Sequence, residues 1–405
     1  MTAVANWRSR VDSLAVGAIL LLTLTLSVVL GLVTPYLLIA IGVILLIMRA
    51  SDGSWRGAIS PAPLTMLAIV LALLASFAIT AQAPADLLYI FNFVALVLFA
   101  PIYLTLLDKR PVNGAVIVGR LALLGALLSV VVMLVRIGYM GGRRSDAGLI
   151  GVIVLANTAM ILGFLSLIGA AADHGIRRVI YLLGPVAGVS TLIMTQSRGP
   201  ILALVPLGIA AAIFLARSLR INWWWVTAGL VAGVAATAMW VMSLGGRMAR
   251  LPGIFYSMLS GDFVRDRTAE FRLDLYQAGW KAFNEAPLLG HGWARIMAAA
   301  SPHLENRRLA RLPQLHNDFL DFAVASGVVG IVLYLALLAA PIVLGFLSPR
   351  DSQRRIRLYG CTVLTVAYFF DGLTDLMFGF EFHTALYAVI LAILLAYCRD
   401  REARP

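Results

Sequence analysis

Charge is scarce in this chain. Asp, Glu, Lys and Arg make up 13% of its 405 residues, about half of the roughly 25% carried by a soluble globular protein. With 61% hydrophobic residues and a mean hydropathy of +0.92, that shortage excludes an ordinary soluble domain. Short segments of alternating polarity are also missing, which excludes a barrel of the outer-membrane type. There are two cysteines, Cys361 and Cys398, both in apolar stretches, so neither a disulfide framework nor a zinc centre can be built. No small-residue cleavage site follows the first apolar run, which is expected to stay as a helix rather than leave as a signal peptide. Acids are fewer than bases, giving a net charge of +12. In a membrane protein basic residues first report topology, and no nucleic-acid partner is expected.

What is present is a series of apolar runs long enough to cross a bilayer as helices. They fall near 14–33, 36–49, 64–82, 86–107, 112–135, 148–171, 177–195, 200–216, 222–243, 318–347, 357–378 and 383–398. The expected fold is an all-α polytopic membrane protein of about twelve helices: nine spans in 1–243, one large loop in 244–315, then three spans and a tail in 316–405. Seventeen Lys and Arg lie on the side that holds both termini, fourteen on the other, and Arg120 sits within a span. The acids run the opposite way, seven against thirteen. By the positive-inside rule both termini are cytoplasmic and the large loop is outside. The tenth span is long, Pro341 is expected to kink it, and Gly327 and Gly330 offer close helix contact.

The large loop nevertheless carries nine arginines against the topological grain: Arg247, Arg250, Arg265, Arg267, Arg272, Arg295, Arg307, Arg308 and Arg311. Local pairing is the plain explanation for most, since Arg265, Asp266, Arg267, Glu270, Arg272 and Asp274 can form a solvated network worth little. It does not serve Arg136 and Arg198, which border apolar spans where an unpaired cation is costly. Asp266 to Phe283 has the pattern of an amphipathic interfacial helix. Phe271, Leu275, Ala278 and Ala282 form one stripe, and Arg272, Tyr276, Trp280 and Phe283 an adjacent one, with Pro287 ending the helix. A helix that merely packs on the bundle would show the same stripes.

Four further features border this loop. LLGHGW at 288–293 is a glycine turn, weak alone, and His291 there reads as a surface histidine. His316, after Pro313, opens the tenth span; it can take a proton as a neutral imidazole or simply hydrogen-bond the helix start. Asn317, Asp318 and Asp321 suit a helix N-terminus. Gln196 to Pro200 forms an outer turn in which Pro200 starts the next helix. Asp371 and Asp375 lie four apart on the eleventh span, where carboxylates are expensive; they are expected to face the interior and pair with arginine, or else to relay protons or ions.

Taken in order, Ser197-Arg198-Gly199, then Arg272 with Tyr276, Gly279 and Trp280, then Pro287-Leu288-Leu289-Gly290 with Gly292, then His316-Asn317 with Leu320, Gly327 and Gly330 resemble the O-antigen ligase and polymerase family of bacterial inner membranes. The resemblance covers roughly 196–330. It implies a membrane-embedded glycosyltransferase of GT-C-like fold, moving a glycan from undecaprenyl diphosphate to an acceptor sugar at the periplasmic face without metal, cofactor or nucleotide sugar. In ligases the acceptor is the lipid A–core oligosaccharide, in polymerases another lipid-linked repeat, and in related oligosaccharyltransferases a protein side chain. The family's functional positions map to Arg198, Arg272 and His316, and its acid to Asp371 or Asp375.

Chemistry on these residues alone agrees. Arginine forks hold phosphate bidentately, so Arg198 and Arg272, with Arg136, Arg265 or Arg143, would stabilise a departing diphosphate. His316 would take the acceptor proton, and a single displacement predicts inversion. The rival from another class is a twelve-helix secondary transporter, which would be expected to show internal repeats and helices broken at mid-membrane; no such repeat is evident.

Overall fold

The computed structural model describes residues 2–55, 57–140, 149–197, 199–219, 222–243 and 267–400. Among them there is no strand. Nine helices among the described residues are long and apolar enough to cross a membrane: α1 Trp7–Leu30, α2 Val33–Asp52, α3 Pro61–Thr80, α4 Pro84–Asp108, α5 Gly114–Tyr139, α6 Val152–Ala172, α7 Arg177–Thr195, α8 Ile201–Leu219 and α11 Asp318–Leu347. Between the last two lie α9, Trp223–Ser243, and α10, Arg267–Glu285. After them come α12, Arg354–Gly372, and the shorter apolar α13, Glu381–Tyr397. Each apolar run expected from the sequence contains helix, and nine of these helices are of membrane-crossing length and hydropathy, which is the architecture of a polytopic membrane protein. Isolated apolar side chains on the outer surface, Leu71, Val205 and Phe346 among them, suit a lipid solvent.

The core is built around α6, which is buried over nearly its whole length and packs most extensively on α5 and α7. Small residues allow this approach. A Cβ on Gly163 would stand 2.6 Å from the Gly184 carbonyl oxygen, and one on Gly188 would be 2.7 Å from that of Ala159. Such close backbone contact is the usual way helices associate where water is absent.

Two expected spans differ from their helices in ways that matter for function. The tenth is broken at Ser326 and Gly327, where the backbone leaves helical angles, rather than at Pro341. A loop fills the break. His291 and Gly292 donate from their amides to the carbonyls of Val324 (2.8 Å) and Ala325 (2.9 Å), while the Val328 amide donates to Pro287 (2.8 Å). Gly327, at φ +62, lies so close to this loop that a Cβ would meet Leu288 backbone at 2.4 Å. Irregular backbone at this depth is tolerated because neighbouring chain satisfies it. The weak glycine turn at 288–293 is thus the plug of a helix break, and His291 is half-buried there with Nε2 2.8 Å from the Ala282 carbonyl oxygen. The eleventh expected span, 357–378, ends as a helix at Gly372, and the chain from 373 to 380 runs without helix.

At the end of the bundle far from this break, buried arginines are saturated. Arg49, on α2, reaches Asp108 (2.7 Å), the Thr105 hydroxyl (3.1 Å) and the Ser54 carbonyl (2.8 Å). Arg357, on α12 and fully buried, reaches Asp351 (2.7 Å), Ser348 (3.1 Å) and the carbonyls of Cys398 (3.2 Å) and Pro349.

Candidate functional site

The candidate site is assembled from pieces far apart in sequence. His316 precedes α11 in a left-handed conformation, φ +56, and Gln196 caps α7 in another, φ +55. These are the two non-glycine residues with positive φ among those described. Such backbone states cost energy in a side-chain-bearing residue and collect at sites held by their surroundings.

What over-determines His316 can be read bond by bond. Asn317 caps α11, accepting from the Leu320 amide (3.1 Å), while its Nδ2 donates to the Leu373 carbonyl (3.2 Å). Asp318 is completely buried and accepts from the amides of Met377 (2.8 Å) and Phe378 (3.2 Å). Asp321, equally buried, accepts from the Leu315 amide (3.0 Å). Residues 316–321 thereby stitch the unwound 373–378 segment to the start of α11. The stitching brings Asp375 Oδ1 to 3.3 Å from His316 Nδ1. An acceptor at Nδ1 favours the tautomer whose proton sits there, leaving the Nε2 lone pair for another partner.

The loop helix α10 completes the corner. It starts and ends close to expectation, and Leu275, Ala278 and Ala282 are buried, whereas Phe271 of the same stripe remains partly exposed. On the adjacent stripe the Tyr276 hydroxyl lies between two carbonyls, 2.8 Å from Leu373 O and 3.2 Å from His316 O. Burial raises the Tyr276 pKa above its ordinary value, with the Arg272 charge pulling the other way, so the hydroxyl keeps its proton as a donor. One turn earlier, Arg272 points its Nη2 at the turn after α7: a Cβ on Gly199 would be 3.9 Å from it and would collide with Thr374 Oγ1. Only a residue without a side chain permits this meeting of turn, loop helix and unwound segment.

Arg272 has no ion-pair partner among the described residues, although half-buried. Asp274 is spent on structure instead of on the expected charge network, accepting from the amides of Glu305 and Asn306, both at 2.9 Å. Asp371 is 1% exposed, and neither of its carboxylate oxygens has a hydrogen-bond partner among the described residues; the expected arginine pairing is not seen there. Arg136 donates to the Ile150 carbonyl (2.7 Å) in the α5–α6 connection. Arg143, Arg198 and Arg265 lie outside the described residues, as does the Arg265–Asp266 part of the charge network. Ser197 and Gly199 on either side of Arg198 are both buried.

Sequence reasoning singled out His316, Arg272 and the turn, which the structure brings to one corner, but it missed Tyr276, Asn317 and Asp318 as the groups that join them. The signal was an HND run at a helix start facing a carboxylate-bearing DGLTD, where only the N-terminal helix role was evident.

The family model for O-antigen ligase matches residues 183–335. The likeness to that family rests on this segment, under half of the chain. That segment contains Arg272, Tyr276, His316, the 196–200 turn and the helix break, so the family's match and the geometric corner coincide. It stops short of Asp371 and of Asp375, the latter joined to His316 through the fold. The chain is also similar to an O-antigen ligase of Pseudomonas aeruginosa, 28% identical over 155 residues, which are 36% of this chain and 35% of that relative. The chain thus matches about a third of the length of that relative.

Proposed function

We propose that this protein is an O-antigen ligase, joining a glycan carried on undecaprenyl diphosphate to a sugar hydroxyl of the lipid A–core oligosaccharide. In this reading the twelve helical segments all cross the bacterial inner membrane, with both termini in the cytoplasm and the 244–315 loop in the periplasm. The observation that carries the reading is the convergence of Arg272, a guanidinium with no ion pair among the described residues, on the glycine turn at the corner where His316 meets Asp375.

The chemistry follows from that arrangement. The acceptor hydroxyl loses its proton to His316 Nε2 as its oxygen bonds to the anomeric carbon of the donor glycan. The bond between that carbon and the phosphate oxygen breaks, and the electron pair leaves on the diphosphate. Asp375, at Nδ1, holds the ring in the basic tautomer and stabilises the imidazolium that forms. Arg272 and Arg198 take the charge growing on the leaving group, in a setting where fixed cations act strongly. Arg136, Arg143 and Arg265 are further candidates for the outer phosphate oxygens. A single displacement inverts the anomeric configuration. Asp371 supports the corner as a second acid.

The lipopolysaccharide profile of a strain lacking the protein tests the reading. Loss of all long-chain O-antigen with intact lipid A–core is expected. A core capped by a single repeat would assign polymerisation instead, and an unchanged profile would reject both.

A further inference from the structure

The far end of α7 from the candidate site carries a second polar arrangement that the transfer chemistry leaves unused. A cavity of about 570 Å³ opens there between α5, α6 and α7. Arg120, the one basic residue that topology left inside a span, lines it together with Arg177. Arg120 keeps 54% of its side chain exposed although it lies on a membrane-crossing helix. An arginine in that position is costly unless it is paired or reaches the headgroup layer.

Its orientation is fixed from behind. Arg120 Nη2 is 3.0 Å from Asp173 Oδ2, its Nε donates to the Tyr181 hydroxyl (3.3 Å), and that hydroxyl donates to the same carboxylate oxygen (2.9 Å). Arg178 donates from Nε to the Asp173 backbone carbonyl (2.6 Å). The His174 amide, then Arg120 and Tyr181, hold the Asp173 carboxyl down to about 2, so it stays an anion. Against this single negative charge stand Arg120, Arg177 and Arg178. Arg177 is exposed and has no ion-pair partner among the described residues. The cluster therefore presents a net positive face to whatever fills the groove.

The rest of the lining is apolar and has a direction. Leu123, Leu124 and Leu127 continue the Arg120 stripe of α5 at spacings of three, four and seven. At 1.5 Å per residue the stripe runs about 10 Å from the cations toward mid-membrane. Leu124 and Leu127 are 51% and 39% exposed, and Ile180 walls the other side. Cations at headgroup depth above a leucine-lined channel match one chemistry, a phosphate with an acyl chain attached.

We propose that this groove binds an anionic phospholipid, its headgroup phosphate between Arg120 and Arg177 and one acyl chain along Leu123, Leu124 and Leu127. The site lies at the opposite membrane face from the candidate transfer site, and its occupancy does not depend on the proposed activity.

Native mass spectrometry on the full-length protein in detergent, titrated with phosphatidylglycerol or phosphatidylcholine of matched chains, tests it. Wild type should retain one phosphatidylglycerol in clear preference to phosphatidylcholine. Arg177→Gln, an exposed change that leaves packing untouched, should weaken that retention about fivefold. Leu124→Trp, which fills the channel, should weaken both lipids, with an unchanged melting temperature showing that the fold is intact. Equal retention of the two lipids, or unaltered phosphatidylglycerol binding in Arg177→Gln and in Arg120→Lys alike, would overturn the proposal. Displacement of the lipid by millimolar inorganic phosphate would reduce the groove to a simple anion site and reject it as well.

Discussion

At the end of the bundle where the chain begins, Arg49 and Arg357 are both buried, and each is met by a carboxylate and by further acceptors. At the other end, among the described residues, Arg272 stands half-buried without an ion pair, and the buried Asp371 carboxylate and Asp321 Oδ2 have no hydrogen-bond partner. A polar group left unsatisfied in an apolar interior costs about 1–3 kcal/mol, and more if charged. The saturated arginines are architecture. Unsatisfied buried atoms occur elsewhere too, at Gln353 and Arg354 for example, but two carboxylates and a half-buried guanidinium near one corner are what a charged substrate would complete.

Substitutions can break this contrast, and the largest effect is expected at His316. His316→Ala should lower the transfer rate by about 10²–10⁴-fold, with the protein still inserted and still retaining the lipid diphosphate. Near-normal transfer would remove the general-base role. Next comes Arg272→Ala, where loss of one preorganised charge should cost about 10²–10³ in rate. Arg272→Lys should recover only part, because a point charge does not replace a planar fork. Full activity in the alanine variant would take Arg272 out of the clamp.

Arg357→Met addresses the other half of the comparison. Removing one member of a buried pair should cost about 3–5 kcal/mol of stability, seen as a lower unfolding temperature in detergent. The rate per folded molecule should stay near wild type, and a large drop there would mean that the two ends are not separate in function. The smallest effect concerns Asp173. Its carboxyl titrates at about 2 rather than at the ordinary 3.8, so its contribution to stability is complete above pH ~4 and is lost as pH falls from there toward 2. The unfolding temperature should decline across that window by about 2 °C more in wild type than in Asp173→Asn. Parallel curves would mean that the pairing adds nothing to the fold.

Much of this was legible in the residues alone. Hydropathy located every apolar helix, because solubility in lipid is a property of composition over about twenty residues. His316 and Arg272 stood out because they were polar without topological need. What stayed hidden was where the backbone leaves the helix. FFDGLTDLMFGFEF is as apolar as a span, and its unwinding after Gly372 depends on Asn317 and Asp318, which lie 56 to 60 positions earlier in the chain. Pro341 drew attention as a breaker, yet the break fell at Gly327, since the deciding partner is an amide and carbonyl loop with no hydropathic signature. The carboxylate at His316 could be narrowed only to Asp371 or Asp375, and the three-dimensional path selects Asp375 as its neighbour.

The loop lodged in the broken helix has a mechanical consequence. The outer stub of α11, from Asp318 to the discontinuity at Ser326, is too short to be aimed by the bundle alone. It is levered from both sides, by the backbone of 287–292 and by the bond between the Ser76 and Ser326 hydroxyls (2.7 Å). The imidazole at its tip is therefore registered to α10 rather than to the membrane. Slack at Gly290 or Gly327, remote from any reacting atom, would arrive at His316 as an error of angle.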